Sequence, residues 1–134
     1  MKPVLVDSSV LLDVISEDPK WGDRSAAALA AAADVSTLIV NAIVYAEVSV
    51  RFDRIEELEE ALPASIFHRE PIPYEAAFLA GKAFLRYRRS GGAKAVPLPD
   101  FLIGAHAAIA GHRLLTRDPR RVSRYFPTVE ILAP

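Results

Sequence analysis

The sequence contains no cysteine among its 134 residues and has only one methionine and one tryptophan. The absence of cysteine excludes a disulfide framework, a thiolate metal site and a cysteine nucleophile. The N-terminal region also lacks a long uncharged apolar run, because Asp7 and Asp13 interrupt it, so we expect neither a signal peptide nor a membrane span. These absences predict a soluble, cytoplasmic protein that does not bind membranes.

The composition is that of one folded domain. Hydrophobic residues make up 51% of the chain and charged residues 25%, a balance that excludes intrinsic disorder. The length corresponds to one domain, and chains of about 150 residues bury roughly two-thirds of their unfolded surface. We therefore expect a single domain over residues 1–134.

The formal net charge of -1 conceals an uneven distribution of charge along the chain. Residues 1–81 contain 14 acidic and six basic side chains, whereas residues 82–124 contain ten basic and two acidic side chains. A basic half in a nearly neutral chain indicates a polyanionic partner such as nucleic acid. The alternative interpretation is an ordinary arginine-rich surface in contact with water.

Short apolar runs rich in β-branched residues alternate with helical patterns along the chain. We predict strands at residues 3–6, 37–40, 65–68, 114–116 and 129–132. We predict helices at residues 21–33, 42–52, 54–60, 74–89, 100–110 and 119–125. A further helix should be capped by the Ser8 or Ser9 hydroxyl and end before Pro19, and Asn41 should cap the helix that follows it. This alternation predicts an α/β fold with a mainly parallel sheet of four to five strands flanked by helices.

Four carboxylates occur where a parallel sheet would bring them together. Asp7 ends the first predicted strand, Asp118 follows a late strand, and Asp100 lies in the first turn of a predicted helix. Ligands of open α/β sheets bind outside the carboxyl ends of the strands, where these residues are expected. Glu47 lies within the apolar stripe of its helix and should face the interior.

Three of these acids also have purely structural explanations. Asp7 and Asp118 could each cap a helix, and Asp100 could interact with a helix dipole. Glu47 has no such explanation, because an inward-facing carboxylate is costly unless it is paired, protonated or bound to a metal. Oxygen ligands without cysteine and with scattered histidines favour Mg²⁺ or Mn²⁺ over Zn²⁺. The sequence therefore predicts a hard-cation site.

The order of these motifs along the chain resembles that of the PIN-domain ribonucleases, and the short single-domain form resembles the VapC toxins of type II toxin–antitoxin modules. The motifs are VLVDSSVLLD, VNAIVYAEV, LPDFLIGAHAAIAG and LLTRDPRRVSRYF, and the resemblance extends from residue 4 to residue 132. The first motif reads Asp-Ser-Ser where the family often has Asp-Thr-Asn. Arg120 and Arg121 follow the last motif, where some members have a further acid.

The resemblance implies a metal-dependent endoribonuclease that acts as a toxin. It implies that Asp7, Glu47, Asp100 and Asp118 form an acidic pocket with Thr116 nearby. Asp7 and Asp100 would bind Mg²⁺ or Mn²⁺ directly, and Glu47 and Asp118 would orient water or complete the metal's surroundings. The expected partners are an RNA substrate, cleaved to a 5′-phosphate, a VapB-like antitoxin that inserts an arginine into the pocket, and a second copy in a homodimer.

Three alternatives are also considered. One is a housekeeping PIN nuclease of RNA processing, and another is a non-catalytic module whose acidic pocket binds a basic peptide. The third, a phospho-acceptor receiver domain, is disfavoured because no central-strand aspartate or late-strand lysine occurs at the required places.

Other polar residues give weaker signals. His106 is expected to be packed or solvated, and His68 and His112 have no partner at metal-ligand spacing. Arginines around the last motif are candidates for binding RNA phosphates. Two tyrosines are candidates for stacking on bases, although core packing is the preferred interpretation of Tyr87. These residues are Arg117, Arg120, Arg121, Arg124, Tyr87 and Tyr125.

Overall fold

The computed structural model describes residues 1–91 and 98–134, in which strands and helices alternate along the chain. The strands are β1 (Val4–Val6), β2 (Leu38–Val40), β3 (Phe67–Arg69), β4 (Arg113–Leu115) and β5 (Ile131–Leu132). The seven helices within the described ranges are α1 (Ser8–Ile15), α2 (Gly22–Val35), α3 (Ala42–Ser49), α4 (Ile55–Ala61), α5 (Tyr74–Arg89), α6 (Leu98–Ala110) and α7 (Pro119–Tyr125).

The five strands form one sheet in the order β3-β2-β1-β4-β5, and every neighbouring pair is parallel. This confirms the predicted α/β fold, and each predicted strand lies within two residues of its observed position. Every residue of β1, β2 and β4 is buried, so helices must cover both faces of the sheet centre. The carboxyl ends of β1 and β4 therefore lie side by side at one edge.

An aromatic cluster joins the helices on one side of the core. The ring of Phe101 in α6 contacts those of Phe84, Tyr87 and Tyr125 at centroid distances of 5.7, 5.5 and 5.4 Å. Tyr125 is only 7% exposed. Tyr87 is packed in the core, as expected, whereas the prediction that Tyr125 stacks on bases is wrong, because its ring is buried in the same cluster.

Local backbone features determine where two helices end. α1 stops at Ile15, before Pro19 as predicted, because Glu17 adopts a left-handed conformation (φ 51) and the Asp18 carboxylate accepts hydrogen bonds from the following backbone N–H groups. α3 stops at Ser49, whose hydroxyl donates to the Ala46 carbonyl and competes with the helical pattern. None of the helices in the described parts of the chain combines the length and apolarity of a membrane span.

Candidate active site

The ends of β1 and β4 and the starts of α6 and α7 surround an open cleft of about 480 Å³. Asp7 follows β1 directly, Thr116 follows β4, Asp100 lies in the first turn of α6, and Asp118 precedes α7. Glu47 of α3 reaches the same region through a hydrogen bond with Ser8. The structure therefore brings together the four carboxylates that the sequence predicted at this edge of the sheet.

Hydroxyl groups hold the carboxylate of Asp7. Its Oδ2 accepts hydrogen bonds from Thr116 Oγ1 and Ser9 Oγ, both at 2.8 Å. The backbone of Asp7 is extended and occupies the N-cap position of α1, but its side chain makes no capping bond. Helix capping therefore does not explain where the Asp7 carboxylate points.

The prediction that the Ser8 or Ser9 hydroxyl caps α1 is wrong. α1 begins at Ser8, one residue after the extended Asp7, so both serines lie in the first turn. The Ser8 hydroxyl donates to Glu47 Oε1 at 2.7 Å, and the Ser9 hydroxyl donates to Asp7. The two serines thus orient carboxylates of the cleft.

Glu47 is half-buried on the side of α3 that faces α1. Burial raises the pKa of its carboxyl group, and the negative charges of Asp100 and Asp7 raise the pKa further, whereas the Ser8 hydroxyl lowers it. Burial likewise raises the pKa of Asp100, with contributions from Asp7 and Asp118 that the nearby Arg121 opposes. The four acids are therefore close enough to repel one another.

Asp118 has two functions in the structure. Its Oδ1 accepts a hydrogen bond from the backbone N–H of Arg121 at 3.4 Å, and Pro119 occupies the first position of α7, as expected for a capping aspartate. Its Oδ2 lies 3.0 Å from Arg121 Nη2. The capping explanation is thus confirmed, but Asp118 also lines the cleft.

The arginines around the last motif have different surroundings. Arg117 Nε lies 2.9 Å from Oδ2 of Asp13, which is only 3% exposed, and its guanidinium lies 5.2 Å from the centre of the Trp21 ring. This pairing anchors the loop after β4 to α1, and Arg117 also lines the cleft, so its role as a phosphate ligand stays a prediction. The sequence could not indicate this pair, because more than a hundred residues separate its members.

A second polar cluster lies apart from the lining of the cleft. Oε2 of Glu70 is 2.7 Å from His106 Nε2 and 2.6 Å from His112 Nε2. His106 is completely buried, as expected for a packed histidine. His112 has no partner at metal-ligand spacing in the sequence, but in the fold it shares the Glu70 carboxylate with His106. Glu70 is 36 and 42 residues away from the two histidines in the sequence, so no local spacing indicates that these residues interact.

The hydrogen bonds around this cluster define the protonation of His106. Asn41 Oδ1 accepts from the backbone N–H of Val44 at 2.9 Å, as predicted for a cap of α3, so its Nδ2 amino group faces His106 Nδ1 at 3.0 Å. His106 Nδ1 must therefore accept, and the proton of the neutral ring lies on Nε2 and is donated to Glu70.

A metal bound at Nε2 would require the opposite arrangement, because metal-bound histidines normally donate their other ring N–H to an acceptor. His106 Nδ1 faces a donor, and His112 Nδ1 is buried without a partner among the described residues. The cluster of Glu70, His106 and His112 therefore fits a hydrogen-bonded network better than a metal centre.

Acidification should destabilise the protein through His106. Burial lowers the pKa of His106 below the ordinary value of 6.5. Between the folded pKa and 6.5, the unfolded chain binds a proton that the folded chain does not, so the free energy of unfolding falls as the pH falls through that window. The contribution is at most about 1.4 kcal/mol per pH unit. Chemical denaturation between pH 7.5 and pH 5 measures it.

The matched variants are His106→Asn, which should flatten this pH dependence, and His68→Asn at an exposed position, which should retain it. The slope of the free energy of unfolding against pH distinguishes His106 from Glu47 and Asp100. The raised pKa values of these two acids make the folded state more stable as the pH falls, which is opposite to the effect of His106. Equal slopes in wild type and His106→Asn would refute the effect.

The fold is similar to that of several solved toxin–antitoxin complexes. One is VapBC2 from Rickettsia felis bound to a promoter DNA fragment (TM-score 0.72, 18% identity, 97% of each chain covered). Another is VapBC-1 from nontypeable Haemophilus influenzae (TM-score 0.71, 15% identity, 97% of this chain and 96% of that chain). A third is a toxin–antitoxin complex from Klebsiella pneumoniae (TM-score 0.69, 23% identity, 94% of each chain).

At these levels of identity the structural matches establish the fold alone. No curated protein matches the sequence significantly. The sequence profile of the PIN domain matches residues 4–125, a range that includes all four carboxylates of the cleft and their hydroxyl and arginine partners. The chain belongs to the PIN domain family.

Proposed function

We propose that this protein is a metal-dependent endoribonuclease and the toxin component of a type II toxin–antitoxin module. The observation that carries the proposal is the convergence of Asp7, Glu47, Asp100 and Asp118, from four different parts of the chain, on one cleft. PIN-domain membership and the likeness to toxin–antitoxin complexes support it.

The chemistry of the cleft fits a hard divalent cation. Its acids offer only oxygen atoms. Burial raises the pKa of Glu47 and Asp100, repulsion between the acids raises it further, and a positive ion would relieve this repulsion. Asp7 and Asp100 are our candidates for direct ligands of Mg²⁺ or Mn²⁺, with Glu47 and Asp118 completing the site. A bound ion would lower the pKa of its water and neutralise the substrate phosphate.

The protein's own groups hold these carboxylates in place before any ligand binds. Thr116 and Ser9 hold Asp7, Ser8 holds Glu47, and Arg121 holds Asp100 and Asp118. Such preorganisation reduces the cost of assembling the site when substrate arrives. The hydroxyl donors leave the negative charge of Asp7 and Glu47 unneutralised, which favours a cation at that side of the cleft.

Cleavage of a panel of purified RNAs tests this function directly. We expect cleavage with Mg²⁺ or Mn²⁺ that leaves a 5′-phosphate and stops on addition of EDTA. Cleavage that persists in EDTA would contradict the metal-dependent mechanism. No cleavage of any RNA would favour the non-catalytic alternative.

The toxin assignment requires an antitoxin partner. We propose that a VapB-like antitoxin inserts an arginine into the acidic cleft, because a guanidinium can bind two carboxylates through its planar donors. The test is to copurify the chain with the product of the adjacent upstream reading frame and to measure RNA cleavage before and after its removal. A neighbour that neither binds nor inhibits would favour a housekeeping nuclease.

A homodimer is the second proposed assembly, and α5 offers a surface for it. Ala76, Ala80 and Ala83 face the core, whereas Tyr74 and Phe78 on the opposite side are 89% and 69% exposed. Such an apolar stripe on a surface helix is typical of an interaction site.

Light scattering at micromolar concentration should show about twice the monomer mass of 14.6 kDa. We expect Phe78→Glu to give the monomer, and Val35→Glu, at an exposed apolar position on α2, to remain dimeric. A wild-type mass of 14.6 kDa would rule out the dimer.

The cytoplasmic location stays a prediction from the sequence.

A further inference from the structure

We propose that Arg121 is a built-in cation of the acidic cleft and restricts the cleft to one divalent metal ion. The inference rests on the proposed function, because it concerns the metal site of that activity. It assigns to Arg121 a role other than the RNA-phosphate contact that the sequence suggested.

The guanidinium of Arg121 bridges two acids that belong to different helices. Its Nη1 lies 3.1 Å from Asp100 Oδ2, and its Nη2 lies 3.0 Å from Asp118 Oδ2. The three side chains are 36%, 31% and 44% exposed, so the bridge is partly shielded from water and keeps more of its strength than a surface pair. One group thus neutralises the side of the cleft formed by α6 and α7.

The other side of the cleft lacks such a partner. Asp7 and Glu47 are held by the hydroxyl groups of Ser8, Ser9 and Thr116, and no arginine or lysine pairs with either acid in the described residues. Hydroxyl groups orient a carboxylate but do not neutralise its charge. The cleft therefore has two sides. The negative charges of Asp7 and Glu47 are not neutralised, whereas those of Asp100 and Asp118 are partly neutralised by Arg121.

This division determines how many cations the cleft can hold. A divalent ion beside Asp7 and Glu47 meets unneutralised negative charge, and Asp100 can still offer Oδ1, the oxygen that Arg121 does not contact. A second ion between Asp100 and Asp118 would have to displace the guanidinium, which stays charged at every relevant pH.

Binding of Mn²⁺ to the purified full-length protein tests the proposal without reference to cleavage. Calorimetric titration and electron paramagnetic resonance of free Mn²⁺ should give one ion per wild-type chain. Arg121→Gln should bind a second Mn²⁺ at least about tenfold more tightly than wild type does. Arg120→Gln is the matched control, because it removes the same charge from an exposed neighbour and should behave as wild type.

The Arg121 variants also distinguish displacement of the bridging guanidinium by a second ion from a general effect of positive charge. Arg121→Lys keeps the charge but cannot bridge two carboxylates, so it should bind the second ion with intermediate affinity, and it replaces Arg121→Gln if that variant does not fold. Equal stoichiometry and affinity in wild type and the Arg121 variants would overturn the inference, and retained RNA cleavage would then leave the proposed function standing. Absence of Mn²⁺ binding and of cleavage from every variant would overturn both.

Discussion

Replacing Asp7 with asparagine is expected to reduce metal-dependent RNA cleavage by about a hundredfold to a thousandfold or more, the range found when one preorganised charge-stabilising group is removed from an active site. Asp7 directly follows β1, the central strand of the sheet, so the expectation that no aspartate occurs at a central strand is wrong. The carboxylate of Asp7 is oriented by Thr116 and Ser9. Asparagine keeps the size of the side chain and one oxygen acceptor, but it removes the negative charge that a metal ion requires. Initial cleavage rates at saturating Mg²⁺ measure the loss.

The same substitution should leave the metal-free protein as stable as wild type or more stable. The charge of Asp7 raises the pKa of Glu47 and of Asp100, which means that the three acids repel one another in the folded state. Asp23→Asn, at an exposed position in the first turn of α2, is the matched control for loss of one carboxylate. Wild-type cleavage rates in Asp7→Asn would refute the catalytic assignment, and an unfolded variant would show that Asp7 is mainly structural.

The fold and the acidic residues were predictable because their signals are local. Consecutive β-branched and apolar residues indicate a buried strand even when it is only three residues long. The polar residue that follows such a strand lies at the carboxyl edge of a parallel sheet. Asp7 was placed in this way, whereas Thr116 lay inside its predicted strand and was expected near the acids only from the family resemblance. Glu47 was identified by its conflict with the apolar stripe of its helix, since a carboxylate in such a stripe requires a partner.

The partners of these residues were not predictable, because they depend on how distant segments approach one another. Nothing near Arg121 in the sequence indicates that it contacts Asp100, 21 residues away. Arg117 likewise pairs with Asp13, and Glu70 binds two histidines that occur much later in the chain. The identity of each hydroxyl donor also depended on whether the N-cap of α1 is Asp7 or one of the two serines that follow it, a difference that local propensity does not resolve.

Among the glycines in the described part of the chain, Gly104 in α6 is the one at which an added methyl group would meet the closest contacts. A Cβ atom at this position would lie 2.5 Å from Cδ2 and 2.6 Å from Cε2 of Phe126. The ring of Phe126 is only 4% exposed, so it cannot move aside into solvent. Overpacking of this kind costs about 1–3 kcal/mol, more than the gain of up to about 1 kcal/mol that alanine brings to a helix. We expect Gly104→Ala to lower the free energy of unfolding.

Gly81→Ala provides the matched control, because Gly81 also lies within a helix and an added Cβ would meet nothing within 4 Å. It should stabilise the protein by about 0.5–1 kcal/mol, the sign opposite to that at Gly104. Both variants belong in the Phe78→Glu background, so that self-association through α5 does not contribute to the denaturation curves.

Overpacking at Gly104 should also change the positions of the acids in the cleft. Phe126 follows α7 directly, so its close approach to Gly104 is one of the contacts that hold α7 against α6, together with that between Phe101 and Tyr125. Arg121 and Asp118 belong to the α7 side of the cleft and Asp100 to the α6 side, so pushing the helices apart would lengthen the bridge between Arg121 and Asp100. We therefore expect Gly104→Ala, unlike Gly81→Ala, to change Mn²⁺ binding as well as stability. A destabilised Gly104→Ala protein with wild-type Mn²⁺ affinity would show that α6 and α7 position the acids independently of this contact.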